Sequence, residues 1–299
     1  MLFEVGSKTQ LAKLLAVAPQ EIDYVLGRLD RYYKPANVPK RDGSRRMLLV
    51  PRGRLKLLQR KIKCHILDKF PFLDCVHGGV KGRSVVSNAL PHVQKSVVFS
   101  VDLKDFFPHV TPERVFRIFR ALGFGEECAR VLVKATTWKH QLPQGAPTST
   151  GLANLSLVRA DWRLRRLAQI QRFSYTRYVD DLTLSGESRL LNFRKLIPRI
   201  IESEGFCVKP QKTVTMLMGE RQVVTQLVVN TKVNMPREWR KDVRAQVFGQ
   251  IRGERNDVSE VSVLGRVNWL CYLNRDVGRK LLERARTADD ANEGAAYRQ

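Results

Sequence analysis

The stretch Phe173-Ser174-Tyr175-Thr176-Arg177-Tyr178-Val179-Asp180-Asp181-Leu182-Thr183-Leu184 decides how the rest of the chain is read. Apolar and β-prone residues flank two adjacent carboxylates. The pattern predicts a hairpin over residues 172–186, with one strand from Phe173 to Tyr178, a tight turn, and a second strand from Leu182 to Leu184. Asp180 and Asp181 repel each other in that turn. Burial would raise their pKa values and lower stability. Lys or Arg side chains would offset the repulsion, and a divalent cation, which needs oxygen ligands, would do so more directly. Read alone, an Asp-Asp pair is also ordinary turn chemistry.

A further carboxylate lies upstream. Val97-Val98-Phe99-Ser100-Val101-Asp102-Leu103 reads as an apolar strand ending in charge. Strand ends are rigid, so Asp102 and the Asp180–Asp181 turn can converge if their strands are neighbours. Two hard cations about 4 Å apart would then hold the attacking and leaving oxygens of an in-line phosphoryl displacement.

Outward from these sites the chain alternates strands and helices. Residues 8–33 read as short helices, with Leu11, Leu14 and Leu15 on one apolar face and Ile22, Val25, Leu26 and Leu29 on another. Pro19 separates them. Prolines and glycines break residues 34–53, leaving a strand at Arg46–Val50 after an Asp42-Gly43 turn. Helices are expected over 54–70, Pro112–Leu122, 129–138 and 190–204. A long helix should follow the loop Gln141-Leu142-Pro143-Gln144-Gly145-Ala146-Pro147 and run to about Leu167. Residues 213–218 and 222–229 read as strands. After Pro236 only basic helices are expected, over 237–251 and 261–286, with Thr287–Gln299 frayed. The fold class is therefore α+β with a C-terminal helical module.

The chain has 299 residues, 53 Lys plus Arg against 29 Asp plus Glu, and a formal net charge of +24. A hydrophobic fraction of 43% excludes a disordered basic tail. No apolar run reaches the ~18 residues a membrane span requires, and no secretory signal is visible. So high a charge attracts polyanions, with nucleic acid the leading partner and a membrane surface the second. Between residues 28 and 63 there are 13 basic and 2 acidic residues, which suits a phosphate-facing surface. Cys64, Cys75, Cys128, Cys207 and Cys271 are scattered, as in a reducing cytoplasm. Cys64-His65 and Cys75-x-His77 match none of the usual zinc spacings.

Taken together, the motifs resemble those of reverse transcriptases. Tyr178-Val179-Asp180-Asp181 is similar to the YxDD box, and Asp102-Leu103-Lys104-Asp105-Phe106-Phe107 to the first aspartate box. Leu142–Ser149 resembles the PQG box, and Gly205–Thr213 the box that carries a lysine, here Lys212. The boxes follow in the family's order. His77–Ser84, followed by Asn88-Ala89-Leu90-Pro91-His92, is similar to the NAxxH region of the retron subfamily. Val224-Thr225-Gln226 resembles its VTG region, with Gln226 in place of the glycine.

The resemblance implies a right-hand polymerase: an N-terminal helical extension at 1–35, fingers at 36–101, a palm with an antiparallel sheet and part of the fingers at 102–235, and a helical thumb and frayed tail at 236–299. It implies that Asp102, Asp180 and Asp181 bind two Mg²⁺, with Asp181 more a support. Phe107 becomes either a gate against a 2′-hydroxyl or a core aromatic. Gln144 and Gly145 would meet the incoming nucleotide, and Arg46, with Lys40 or Arg41, its triphosphate. Lys212 is a proton donor to pyrophosphate or a surface lysine. Asn88, His92, Val224, Thr225 and Gln226 either contact a structured RNA or support the fold. Trp239, Trp269 and Tyr272 are core residues or stacking platforms on the thumb.

The activity implied is RNA-directed DNA synthesis from deoxynucleotides, primed at a guanosine 2′-hydroxyl of the enzyme's own noncoding RNA. The product is branched RNA–DNA. An effector protein, a role in phage defence, a cytoplasmic location and no membrane partner complete the expectation. No maturase, nuclease or RNase H module is expected beside the polymerase. The alternatives are another free-standing bacterial reverse transcriptase, intron-derived or diversity-generating, and a catalytically silent RNA-binding scaffold.

Overall fold

Local sequence explains most element boundaries. In the computed structural model, which describes residues 2–39, 45–252 and 260–284, three short helices come first: α1 (Lys8–Leu14), α2 (Pro19–Leu26) and α3 (Leu29–Tyr32). Ser7 and Gln10 form a reciprocal capping box at the start of α1, and Pro19 occupies the first turn of α2. Leu11, Leu15, Ile22 and Val25 are fully buried in the main core.

A hairpin follows, β1 (Tyr33–Pro39) antiparallel to β2 (Arg45–Pro51). The sequence predicts only the second strand, because Pro35 and Pro39 interrupt the first. In a two-stranded ribbon both strands are edges, so a missing N–H is tolerated. The expected Asp42-Gly43 turn lies outside the described residues. Helix α4 (Gly53–His65) then buries Leu55, Leu58 and Ile62.

Next come α5 (Val85–Ala89), β3 (Val97–Asp102), α6 (Phe106–His109), α7 (Pro112–Leu122) and α8 (Glu126–Thr136). The long helix expected to run to Leu167 is two helices, α9 (Ser149–Ser156) and α10 (Val158–Gln171), broken at Leu157. The central hairpin is β4 (Ser174–Tyr178) and β5 (Asp181–Gly186), followed by α11 (Leu196–Ser203) and β6 (Val214–Leu217). The strand expected over 222–229 is folded back on itself as β7 (Val223–Val224) and β8 (Leu227–Val228). Helices α12 (Arg237–Ile251) and α13 (Glu260–Leu273) complete the labelled elements, and residues 275–284 are also helical. The expected fraying at Thr287–Gln299 lies outside the described residues.

Four strands form one antiparallel sheet in the order β4-β5-β3-β6. Alternation along β3 sends Val97, Phe99 and Val101 into the main core. Val98 points the other way, into a smaller cluster with Ala89, Val224 and Leu227. Covering both faces explains why β3 reads as a continuous apolar run. Helices α12, α13 and residues 275–284 close a third core around Val243, Val247, Val267 and Leu281. Trp239 packs on that core. Trp269 is half-buried, donates its indole N–H to Met235 Sδ at 3.3 Å, and stacks on Tyr272, which is exposed.

Thr225 and Gln226 form the two-residue turn between β7 and β8 with φ of +44° and +72°. A tight hairpin turn of this kind needs left-handed backbone, which L residues adopt at a cost. Gln226→Gly removes that cost at one position, net of the extra freedom glycine gains on unfolding. It is expected to stabilise the protein by about 0.5–1 kcal/mol, seen as a higher thermal midpoint.

Candidate active site

Hydrogen-bond register places the carboxylates. Asp102 at the end of β3 pairs with Asp181 at the start of β5, and Tyr178 pairs with Asp181 across β4 and β5. Val179 and Asp180 are therefore a two-residue turn at the same sheet end. Asp180 also ties to the neighbouring strand, its carbonyl accepting from Leu103 N–H at 3.0 Å. Asp102 and the Asp180–Asp181 pair, distant in sequence, are gathered at one end of the sheet.

Beside them opens a cleft of about 640 Å³. Asp102 and Asp180 line it, together with Phe107, Gln144, Lys209 and Lys212. Asp181 does not. Its Oδ1 accepts from Ser100 Oγ at 2.9 Å. Burial pushes the Asp181 carboxyl up to about 6, Ser100 opposes this, and the charges of Asp180 and Asp102 push it further up. Among the described residues no three His, Cys, Asp or Glu side chains close around an ion by themselves. Two cleft carboxylates are nevertheless a donor set that suits Mg²⁺, which commonly takes one or two carboxylates and completes its shell with water and substrate phosphates.

Lys212 Nζ lies 3.3 Å from Asp102 Oδ2. The short 3-10 turn Pro210–Lys212 and the bond from Lys209 N–H to the Asp102 carbonyl, 2.9 Å, bring it there. Phe107 is half-buried, with its ring 5.7 Å from that of Phe106, so it is both packed and cleft-facing. The carbonyl of Gln144 accepts from Leu49 N–H at 3.0 Å, joining the Gln144 loop to β2. Gly145 does not line the cleft. It has φ +106°, and a Cβ there would sit 3.4 Å from Val50 Cγ2. The left-handed backbone is what favours glycine here, and its nearest neighbours belong to β2. Lys40 and Arg41 lie outside the described residues, as does the side chain of Arg46. Arg45 and Met47 of β2 do face the cleft.

The residues expected either to contact a structured RNA or to support the fold differ in burial. Asn88, His92 and Val224 are buried. His92 places Nδ1 2.6 Å from Ser185 Oγ and Nε2 2.7 Å from Thr176 Oγ1. Burial lowers its pKa to about 3, so the ring is neutral. Asn88 donates to Thr225 Oγ1 at 3.4 Å, and its carbonyl accepts from Thr176 Oγ1. These side chains bolt α5 and the β7–β8 turn to the sheet. Only the Thr225–Gln226 tip reaches solvent, Gln226 being exposed.

Sequence reasoning missed the support beneath the turn. Arg177 is fully buried and grips Asp161 through Nε and Nη2, at 2.8 and 2.6 Å. Its Nη1 donates to Asn154 Oδ1 and to the Val179 carbonyl, both at 2.8 Å. Tyr175 Oη donates to Asp161 Oδ1 at 2.8 Å. Val179, a β-branched residue at φ +59°, is thus held in a left-handed conformation by a side chain two positions earlier. From above, Gly78 packs so closely that a Cβ would fall 2.5 Å from Val179 N. A charged residue at an inward strand position was the available signal. Its partner on α10 was not readable from the strand alone.

Comparison with known proteins gives the class. The reverse transcriptase (RNA-dependent DNA polymerase) family matches residues 38–266, and the chain belongs to that family. A telomerase from Candida albicans, solved with a fragment of telomeric RNA, has a TM-score of 0.51 at 12% identity, covering 86% of this chain and 55% of that one. The likeness supports a right-hand α+β polymerase fold. The Retron Mx65 reverse transcriptase of Myxococcus xanthus is 38% identical over 274 residues, 85% of this chain and 64% of the relative. The Retron Ec86 reverse transcriptase of Escherichia coli is 32% identical over 268 residues, 88% of this chain and 82% of the relative. The chain is of the retron type, and it spans under two thirds of the length of the Myxococcus relative.

Asp181 has a folded pKa above its ordinary value. Its ionisation therefore opposes folding fully above about pH 6, and the penalty fades between there and the ordinary value of 3.8, below which both states are protonated. Asp181→Asn is expected to stabilise the metal-free protein at neutral pH by on the order of 2 kcal/mol, with the gain lost near pH 4, read from denaturation curves across pH. Gly78→Ala pushes on the Val179 backbone. Primer extension is expected to fall about 10²-fold while RNA affinity holds, which separates a displaced turn from a lost fold.

Proposed function

We propose that the chain is an RNA-directed DNA polymerase that copies part of a structured noncoding RNA, starting from a guanosine 2′-hydroxyl of that RNA and leaving RNA and DNA joined. The observation that carries this reading is the register pairing of Asp102 with Asp181, which gathers three carboxylates beside a cleft that also holds Phe107, Gln144 and Lys212. In this reading residues 36–101 act as fingers, 102–235 as palm and 236–299 as thumb.

Asp102 and Asp180 would hold two Mg²⁺, which supply activation of the attacking oxygen and neutralisation of the phosphates. The chain's own residues do the rest. Ser100 fixes the Asp181 carboxylate behind the other two, where its charge deepens the negative potential that draws cations. Arg177 and Gly78 set the turn that carries Asp180. Lys212, paired with Asp102, would give a proton to the departing pyrophosphate. Phe107 presents a ring toward the position of the sugar, where a 2′-hydroxyl would collide. Gln144, tied to β2, couples the loop to the basic fingers.

Nucleic acid suits the charge of +24 better than any other partner. The helices after Pro236 would grip an A-form hybrid by its phosphates and 2′-hydroxyls. A cytoplasmic location, an effector protein and a role in phage defence belong to the same proposal. Among the described residues no helix is long and apolar enough to cross a membrane.

Asp180→Asn is expected to abolish primer extension with Mg²⁺ while RNA binding survives; equal activity in the variant would sink the assignment. Phe107→Ala is expected to raise incorporation of ribonucleotides relative to deoxynucleotides, measured as the ratio of kcat/KM. RNA affinity should fall with salt at a log–log slope of about −0.7 to −0.9 per phosphate contact.

A further inference from the structure

A second groove shares no residue with the cleft. Its volume is about 350 Å³, and Arg114, Arg117, Arg159 and Ser156 line it, with Glu204 as its acid. Glu204 is already engaged, accepting from Arg163 Nη1 at 2.8 Å and pairing with Arg159 Nε at 3.3 Å. Arg114 donates to the Glu204 carbonyl at 2.8 Å and lies over the Phe206 ring. One carboxylate among these arginines leaves the groove strongly positive.

The groove continues onto a helix face. Arg159, Trp162, Arg163 and Arg166 are three, four and seven residues apart, so they share one side of α10. The opposite side is filled by Ala160, Asp161, Leu164 and Ala168, all buried. Trp162 is 55% exposed, which leaves a large part of the indole open to solvent.

We propose that this groove and the outer face of α10 form a second RNA-binding site, taking phosphodiesters on Arg117 and Arg159 and stacking an unpaired base on Trp162. The chemistry favours RNA. Guanidinium groups match phosphate oxygens in a planar fork. A flat exposed indole accepts any base face. A lipid surface fits less well, because the exposed Trp162 and Ile170 are two turns apart with Arg163 and Arg166 between them, so no continuous apolar stripe exists. The identity of the partner rests on the reading of the chain as an RNA-copying enzyme; the site itself does not.

The test uses the full chain with poly(rA)·oligo(dT) saturating the polymerase cleft, and a fluorescein-labelled oligocytidylate added to it. The wild-type chain binds the oligocytidylate under these conditions. Trp162→Ala weakens that binding about tenfold, and Trp162→Phe restores most of it. Arg117→Gln with Arg159→Gln flattens the log–log salt slope by about 1.4, two contacts' worth for a single strand. Primer extension on poly(rA)·oligo(dT) is unchanged in every variant. Unaltered oligocytidylate affinity in these variants overturns the proposal. So does a loss of extension in step with the loss of binding, or a loss confined to phosphatidylglycerol vesicles. A wild-type chain that fails to extend the primer, but loses oligocytidylate on Trp162→Ala, refutes the polymerase reading and supports this site.

Discussion

Mutual repulsion of carboxylates is the constraint around which this molecule is organised. Antiparallel register forces Asp102 and Asp181 opposite each other, and a two-residue turn adds Asp180. The Asp181 carboxyl is pushed up first by burial, and the charges of Asp180 and Asp102 add to that shift. Ser100 and Lys212 relieve it only in part. The remaining negative charge is what the proposed cation site would draw on.

Such a centre needs a rigid frame. The left-handed Val179 is not a conformation a valine chooses, so something else must hold it. The buried Arg177 side chain does this from beneath, with Asp161 and Asn154 satisfying its other donors. Burying an ion pair adds little net stability, whereas leaving one partner alone is severely destabilising. The network is better understood as specifying one geometry of the turn than as a source of stability. His92 and Asn88 act in the same sense further along the sheet, fixing α5 against β4 and β5 through neutral hydrogen bonds.

The central hairpin was legible because its apolar alternation stops at two adjacent carboxylates, and that break marks the turn. The ordered boxes made the polymerase class legible as well. Other features were hidden for physical reasons. Pro35 and Pro39 mask β1, since a ribbon edge forgives them. Leu157 breaks α9 from α10 without any residue that signals a break. Thr225 and Gln226 adopt positive φ although neither favours it, so the turn inside 222–229 could not be seen. Asn88 and His92 have the polarity of binding residues, and only the fold shows that they are buried against Thr225, Ser185 and Thr176. The Arg177–Asp161 pair joins a strand to a helix, and side-chain spacing along either one says nothing of it.

Whether Asp102 and Asp180 form the cation site is tested most directly by anomalous diffraction from crystals of the full chain grown with a primed template, a non-hydrolysable deoxynucleotide and Mn²⁺. Manganese peaks are expected on the Asp102 and Asp180 carboxylates, with Lys212 withdrawn from Asp102. Nucleotide bound in the cleft with manganese absent from both carboxylates would contradict the assignment.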